Sequence, residues 1–164
     1  MSERLLSVPA GVSACAEATT AKEAAFRIDY PLAAARNTRV VALDAAAEAV
    51  VRAAAELPWG QARFFSADDP GHVLTEVTGE QVPLAEVLDD SNTVVLVSTS
   101  GENADAVDTI GAACRVRGIM TAGLVMTPGT LTSGALTLLR PHARILLVPA
   151  DDDDLVELLR ATRA

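Results

Sequence analysis

The sequence predicts an α/β fold, a Rossmann-like three-layer αβα sandwich around a mainly parallel, five-stranded sheet. Strand-like and helix-like segments alternate along the 164 residues. The strand-like segments are short apolar runs without the polar alternation of a half-exposed strand. Half of the residues are apolar, many of them alanine, and only 3% are aromatic. Because alternating strands and helices build a parallel sheet covered on both faces, these observations favour the sandwich.

The length predicts one α/β domain over residues 1–164. It consists of an N-terminal helical segment (1–36), a sheet core (37–150) and a C-terminal helix (151–164). The five predicted strands are residues 39–43, 62–66, 93–97, 121–126 and 144–148. Residues 93–97 (TVVLV) are apolar and β-branched, which is typical of a fully buried central strand. The segment HVLTEV (72–77) follows an ADDPG turn and is either a short edge strand or an extended loop.

The predicted helices are residues 13–35, 45–56, 83–88, 104–117, 131–139 and 152–163. In the fourth of these, Val107, Ile110 and Cys114 recur at helical spacing, so this face is expected to pack on the sheet. Gly118 follows as its C-terminal cap. The acidic run DDDD (151–154) begins the last helix, where carboxylates complement the helix dipole. Consecutive helical side chains diverge, so no metal site is expected there.

Composition and charge exclude several classes of function. With 22 acidic and 13 basic residues, the net charge is −9, and no basic stripe is available for nucleic acid. No apolar run approaches the roughly 20 residues of a membrane span, and the N-terminus lacks the apolar region of a signal peptide. Cys15 and Cys114 are too few for a disulfide framework or zinc site, so we expect reduced thiols in a cytoplasmic protein. Dinucleotide, P-loop and nucleophile-elbow motifs are missing, and no cofactor is predicted.

A hydroxyl-rich turn follows the central strand, containing Ser98, Thr99, Ser100, Gly101 and Asn103. Hydroxyls and unpaired N–H groups at a helix N-terminus suit an anion, especially a phosphate. The same residue types also cap helices and form turns, so the pattern alone leaves both interpretations open.

Other loops are expected beside this turn, because ligands of parallel sheets gather beyond the carboxyl ends of the strands. Asp44 follows the first predicted strand, residues 66–69 follow the second, and residues 127–130, beginning with Thr127, follow the fourth. Together with the turn, these loops form one predicted rim around a substrate-binding site.

The turn sequence STSGENAD (98–105) resembles the strand-end S-x-S-G-x-T-x-E turn of the sugar isomerase (SIS) phosphosugar-binding family. Asn103 replaces the usual threonine, and Asp105 replaces a common glutamate. The order of elements over about residues 38–149 is also similar. The resemblance implies that Ser98, Ser100 and Asn103 hold a sugar phosphate with the Gly101 backbone. It also implies a homodimer, for which the alanine-rich helix 13–35 is the predicted contact, and sugar-phosphate isomerisation if the protein is an enzyme.

The loop after the first strand departs from this family. SIS domains carry a loop rich in glycine and serine there, whereas this chain has LDAAA (43–47). The Asp44 carboxylate would face the phosphate, and two unit charges 4 Å apart repel by about 4 kcal/mol at an effective dielectric near 20. His72 and His142 lie in no catalytic motif and are predicted to be surface or capping residues.

Two functions therefore remain. One is a phosphosugar-binding domain, either a sensor or a reduced isomerase. The other is a non-catalytic α/β scaffold that has lost its ligand site and works through protein contacts. The STSGEN turn favours the first function and the missing glycines favour the second. From the sequence we favour binding without catalysis.

Overall fold

The computed structural model describes residues 35–126 and 133–164, which belong to one compact unit beginning at Ala34. Strands and helices alternate through it, as the sequence predicts. In chain order the elements are β1 (Thr38–Ala42), α1 (Ala45–Ala55), β2 (Arg63–Ala67), β3 (Val73–Glu76), β4 (Gln81–Pro83), α2 (Leu84–Leu88), β5 (Thr93–Ser98), α3 (Ala104–Arg117), β6 (Met120–Met126), α4 (Ser133–Leu139), β7 (Ile145–Ala150) and α5 (Asp152–Ala161).

The described strands form one sheet in the order β4-β3-β2-β1-β5-β6-β7. The five predicted strands correspond to β1, β2, β5, β6 and β7, and each pairs in parallel with its neighbours in this set. The predicted α/β sandwich is confirmed, but the strand count of five is wrong. The HVLTEV segment supplies β3, which pairs antiparallel with β2 and with β4. The sheet is therefore mixed, with seven strands in the described part of the chain.

The turn between β3 and β4 explains the additional hairpin. Gly79 has a φ of 95° there, in the left-handed region that glycine enters without strain. The chain reverses at this point and extends the sheet past β2. The prediction of alternating strands and helices missed this reversal, because a hairpin needs no intervening helix.

The predicted central strand is confirmed. Val94, Val95, Leu96 and Val97 are each 0% exposed, and β5 is paired on both sides, with β1 and with β6. Its side chains point alternately into two separate apolar clusters, one on each face of the sheet. Both faces of this strand are therefore shielded from solvent, which accounts for its unbroken apolar sequence.

Helices cover both faces of the sheet. Helices α1 and α5 share one apolar cluster with Val95, and helices α2, α3 and α4 share the other with Leu96. The sheet-facing side of α3 is the predicted one, since Val107, Ile110 and Cys114 are fully buried. Gly118 ends this helix with a φ of 68°, as expected of a C-terminal cap.

Several other predictions can be compared with the structure. The acidic run begins α5 with a capping box between Asp151 and Asp154, so these carboxylates serve the helix N-terminus. No group of three His, Cys, Asp or Glu side chains within residues 35–126 and 133–164 is arranged to hold a metal ion. None of the described helices is long and apolar enough to cross a membrane. The predicted helix 13–35, except for its last residue, and residues 127–130 lie outside the described residues.

One charged side chain is buried at the amino end of β1. Arg39 is 3% exposed, and its guanidinium donates to the carbonyl oxygens of Thr38, Val87 and Gln61. It also donates to the Asp90 carboxylate at 2.7 Å. Burying a charge is costly unless it is paired and hydrogen-bonded, and here both conditions are met. Arg39 thus links the start of β1 to the segments before β2 and after α2.

Substituting Val95 tests the position of the central strand. Val95→Asp should lower the free energy of unfolding by about 3 kcal/mol or more, because it buries an unpaired carboxylate. The matched control is Val116→Asp on α3, where the valine is 86% exposed and the cost should stay below about 1 kcal/mol. Urea denaturation of both variants checks this, and a Val95→Asp variant as stable as the parent would contradict the placement of β5.

Candidate functional site

The candidate site lies at the carboxyl ends of β1, β2 and β5. From β1 the chain first adds β2, β3 and β4 on one side of the sheet. It then returns to the other side of β1 and adds β5, β6 and β7 there, so the strand order reverses between β1 and β5. This point of reversal is where parallel α/β sheets most often bind ligands. A cavity of about 290 Å³ opens there, lined by Ala42, Asp44, Ala45, Glu48, Ser66, Ala67, Asp68, Glu102 and Asn103.

Asp44 is the central residue of this site. It is 8% exposed and forms the N-cap of α1, where its Oδ1 accepts a hydrogen bond from the Ala47 amide at 2.9 Å. Its other oxygen, Oδ2, accepts from the amides of Thr99 and Ser100 at 2.6 and 3.1 Å and from the Ser98 hydroxyl at 3.1 Å. One carboxylate therefore joins the start of α1 to the turn after β5.

The same contacts determine the charge state of Asp44. Burial by itself raises the pKa of this carboxyl, because the charged form loses solvation. Hydrogen bonds from the Ala47, Thr99 and Ser100 amides and from the Ser98 hydroxyl stabilise the charged form more strongly, so the pKa lies below its ordinary value. Asp44 is thus an ionised, internally bound anion at neutral pH.

The remaining predicted turn residues are also engaged within the protein. The Gly101 amide donates to the Ser98 hydroxyl oxygen at 3.2 Å. Asn103 precedes α3 with a φ of 58°, but its side chain makes no cap hydrogen bond to that helix. Its amide group donates instead to the carbonyl oxygens of Leu43 and Ala67, at 2.7 and 3.2 Å. Asn103 therefore joins the ends of β1 and β2.

A second carboxylate occupies the N-terminus of α3. The Ala106 amide donates to Oδ1 of Asp69 at 2.8 Å, although the two residues are 37 positions apart. Gly71 packs so closely on Ala106 that a Cβ at Gly71 would lie 2.7 Å from the Ala106 Cα. The sequence predicts Asp69 in the rim but not as a cap of α3. The ADDPG turn was the available signal, and it could not show which helix the aspartate would reach.

The structure brings most of the predicted site residues together. Asp44, Ser98, Thr99, Ser100 and Asn103 meet at one strand-end edge, as expected. The sequence predicts that the Asp44 carboxylate faces a phosphate held by the turn. In the structure this carboxylate instead accepts hydrogen bonds from the turn itself. Gly101 lies within the same turn, and Thr127 lies outside the described residues.

The electrostatics of the cavity are acidic. Carboxylates of Asp44, Glu48, Asp68 and Glu102 line it, and neither His72 nor His142 does. Such a lining repels a phosphate and favours a cationic or neutral donor group. Among the described residues, carboxylates are therefore the side chains of this lining that could act as a base toward a sugar carbon.

Replacing Asp44 tests its role as the internal anion. Asp44→Asn should lower the free energy of unfolding at pH 7 by roughly 2–4 kcal/mol, because several hydrogen bonds to a charged acceptor are weakened or lost. Since the pKa of Asp44 is depressed in the folded state, its stabilisation is fully present above the unfolded carboxyl pKa of about 4. It is lost as the pH falls through the folded pKa, so parent and variant should converge in acid.

Urea denaturation between pH 7 and pH 2.5 measures this convergence. Asp68→Asn is the matched control, because Asp68 lines the same cavity but is exposed. It should change the stability by less than about 0.5 kcal/mol. A constant gap between parent and Asp44→Asn across this pH range would show that the Asp44 charge does not stabilise the turn.

Comparison with protein families and curated proteins finds no match to this chain.

Proposed function

We propose that this chain is a non-catalytic α/β scaffold that acts through protein contacts, with Asp44 in the place of an anionic ligand. The observation that carries the proposal is the set of three hydrogen bonds from Ser98, Thr99 and Ser100 to one Asp44 oxygen. A phosphate oxygen would need these donors. The Asp44 carboxylate is held by backbone amides of the same protein and is therefore always present. An external anion must displace this carboxylate to bind the turn.

The neighbouring groups support the same proposal. The Ala106 amide, in the first turn of α3, is taken by Asp69, so the helix N-terminus has an internal anion as well. The side-chain amide of Asn103 donates hydrogen bonds to two strand-end carbonyl oxygens. Acidic side chains line the adjoining cavity. The Asp69 and Asn103 contacts stabilise the scaffold, and the acidic lining weakens the attraction for a phosphorylated substrate.

Phosphosugar binding, as a sensor or reduced isomerase, is the second candidate. It is favoured by the convergence of three donors on a single oxygen, directly before a helix of 14 residues. This is the geometry that an oxyanion requires. In this case Asp44 would act as a gate that leaves the turn when the sugar phosphate binds. The resemblance to SIS domains points in the same direction.

Titration with hexose phosphates separates the two candidates. If the scaffold proposal is correct, parent and Ser100→Ala should show the same response by isothermal titration, because the Ser100 hydroxyl contacts no ligand. Asp44→Ser should bind at least tenfold more tightly than the parent, because it releases the three donors and removes a negative charge. Thr109→Ala, on α3 outside the turn, is the hydroxyl-deletion control.

Phosphosugar binding at the turn predicts a different titration result. A hexose phosphate that binds the parent below millimolar concentration, and at least tenfold more weakly to Ser100→Ala, would overturn the scaffold proposal in favour of phosphosugar binding. Ser100 is exposed and donates to Asp44 through its amide, which the substitution keeps, so Ser100→Ala should lower the free energy of unfolding by no more than about 1 kcal/mol. Loss of binding through unfolding is therefore distinguishable by melting temperature.

We also propose a cytoplasmic homodimer that pairs through helix 13–35. The sequence of this helix offers small residues for close packing, including Ala21 and Ala25. Sedimentation at tens of micromolar should give a species of twice the 17.0 kDa chain mass. Ala25→Arg should shift it toward the monomer, because a long charged side chain prevents close approach of two helices. A parent that sediments at the monomer mass would contradict the dimer.

A further inference from the structure

A second cavity lies at the opposite edge of the sheet, beside the amino ends of β6 and β7. Its volume is about 380 Å³. The residues around it come from the last turns of α3, the start of β6 and the connection into β7. They are Gly111, Arg115, Gly118, Ile119, Thr121, Pro141, His142, Ala143 and Arg144.

The charge around this cavity is opposite to that of the protein as a whole. Residues 109–150 contain four arginines and none of the 22 acidic residues. Each helix in this region follows a parallel strand and returns the chain to the amino edge of the sheet. Arg115 and Arg117 therefore lie at the end of α3, and Arg140 and Arg144 lie between α4 and β7. The sequence shows no basic stripe, and the fold brings these four arginines to one edge.

Two of these arginines, Arg115 and Arg144, line the cavity itself. Both are exposed, and neither forms an ion pair with a carboxylate in the described part of the chain. Two carbonyl oxygens in the last turn of α3 also have other hydrogen-bond donors than these arginines. Those of Cys114 and Arg115 accept from the Ile119 and Gly118 amides. Both guanidinium groups are therefore available to a ligand.

His142 forms part of the cavity wall. Its side chain is 8% exposed, so the prediction of a surface or capping residue is wrong. Its Nε2 lies 2.8 Å from Oδ1 of Asp108, and a carboxylate can only accept, so Nε2–H is the donor. The other nitrogen, Nδ1, is buried with no hydrogen-bond partner among residues 35–126 and 133–164, and it packs on Gly111, where any Cβ would overlap the imidazole ring. Both of these contacts hold the ring against α3.

From these observations we propose that this cavity binds a small oxyanion, the phosphate or carboxylate group of a metabolite, through Arg115 and Arg144. Guanidinium groups match phosphate and carboxylate oxygens with two parallel hydrogen bonds, and two such groups can hold one dianion. The lining of this cavity contains two arginines and no carboxylate, in contrast to the strand-end cavity, and the neighbouring Asp108 carboxylate is bound to His142. The site does not depend on the scaffold proposal, because it shares no residue with the turn at Asp44.

Inorganic phosphate and citrate are the probes. Each is titrated into the full chain by isothermal calorimetry and by thermal shift, at constant low ionic strength. The parent should respond saturably at millimolar concentration or below. The double variant Arg115→Gln/Arg144→Gln should bind at least tenfold more weakly. The relative affinity for phosphate and citrate tells whether the site prefers a phosphoryl or a carboxylate group.

The matched control is Arg117→Gln/Arg140→Gln, which removes the same charge from the same edge but from residues that do not line the cavity. It should bind as the parent does. Equal loss in both double variants would mean that only the general charge matters and would overturn the proposal. Arg144→Lys provides a further check, because it keeps the charge but not the two-pronged geometry, and it should bind more weakly than the parent.

Three further outcomes decide the proposal. No saturable response to either probe would overturn it. So would binding of an oligoglutamate peptide without binding of phosphate or citrate, since that result identifies a surface for an acidic protein. A response that is lost in Ser100→Ala but kept in Arg115→Gln/Arg144→Gln would place the anion at the turn and overturn the cavity site alone. Both arginines are exposed, so the double variant should melt as the parent does in the absence of probe.

Discussion

The Asp44 carboxylate is the interaction on which the strand-end edge depends. It accepts the Ala47 amide at the start of α1 and the Ser98, Thr99 and Ser100 donors after β5. Buried or half-buried backbone amides must be paired, and an unmade hydrogen bond there costs more than a formed one contributes. A single anion satisfies the donors of two segments that would otherwise need water or a ligand. The turn can therefore be rich in hydrogen-bond donors and still be stable without an external anion.

Charged side chains hold β1 at both of its ends. At the amino end, Arg39 donates to three carbonyl oxygens and to Asp90. At the carboxyl end, Asp44 accepts from α1 and from the turn after β5, and Asn103 donates to Leu43. Between these ends the strand is entirely apolar and buried. The apolar core supplies most of the stability, and the polar contacts at its edges define how the loops leave the sheet.

The cavity at the carboxyl ends of the strands is acidic, whereas the cavity at their amino ends is lined by arginines. The two cavities therefore favour ligands of opposite charge. Carboxylates dominate the strand-end cavity, where their own repulsion and the internal pairing of Asp44 make an added anion unfavourable. Arginines line the cavity at the amino edge, within a stretch of the chain that has no acidic residue. Cys114 lies near this edge as a buried free thiol, and burial raises the pKa of that thiol, so it remains protonated and unreactive. A structural role at one edge is thus compatible with ligand binding at the other.

The sequence by itself determined the fold class, the five parallel strands and the sheet-facing side of α3. Each of these depends on local hydrophobic periodicity, which a single segment carries. It also identified Asp44 and the 98–103 turn as neighbours, because parallel strands end at a common edge. Only the tertiary structure decided that Asp44 binds this turn, that Asp69 caps α3 and that Arg115 and Arg144 line one cavity. Asp44 and Thr99 are 55 residues apart, and Asp69 and Ala106 are 37 apart. The partner of a polar side chain in a loop depends on which loops the sheet brings together and on the direction that each side chain takes, and no local pattern contains that information.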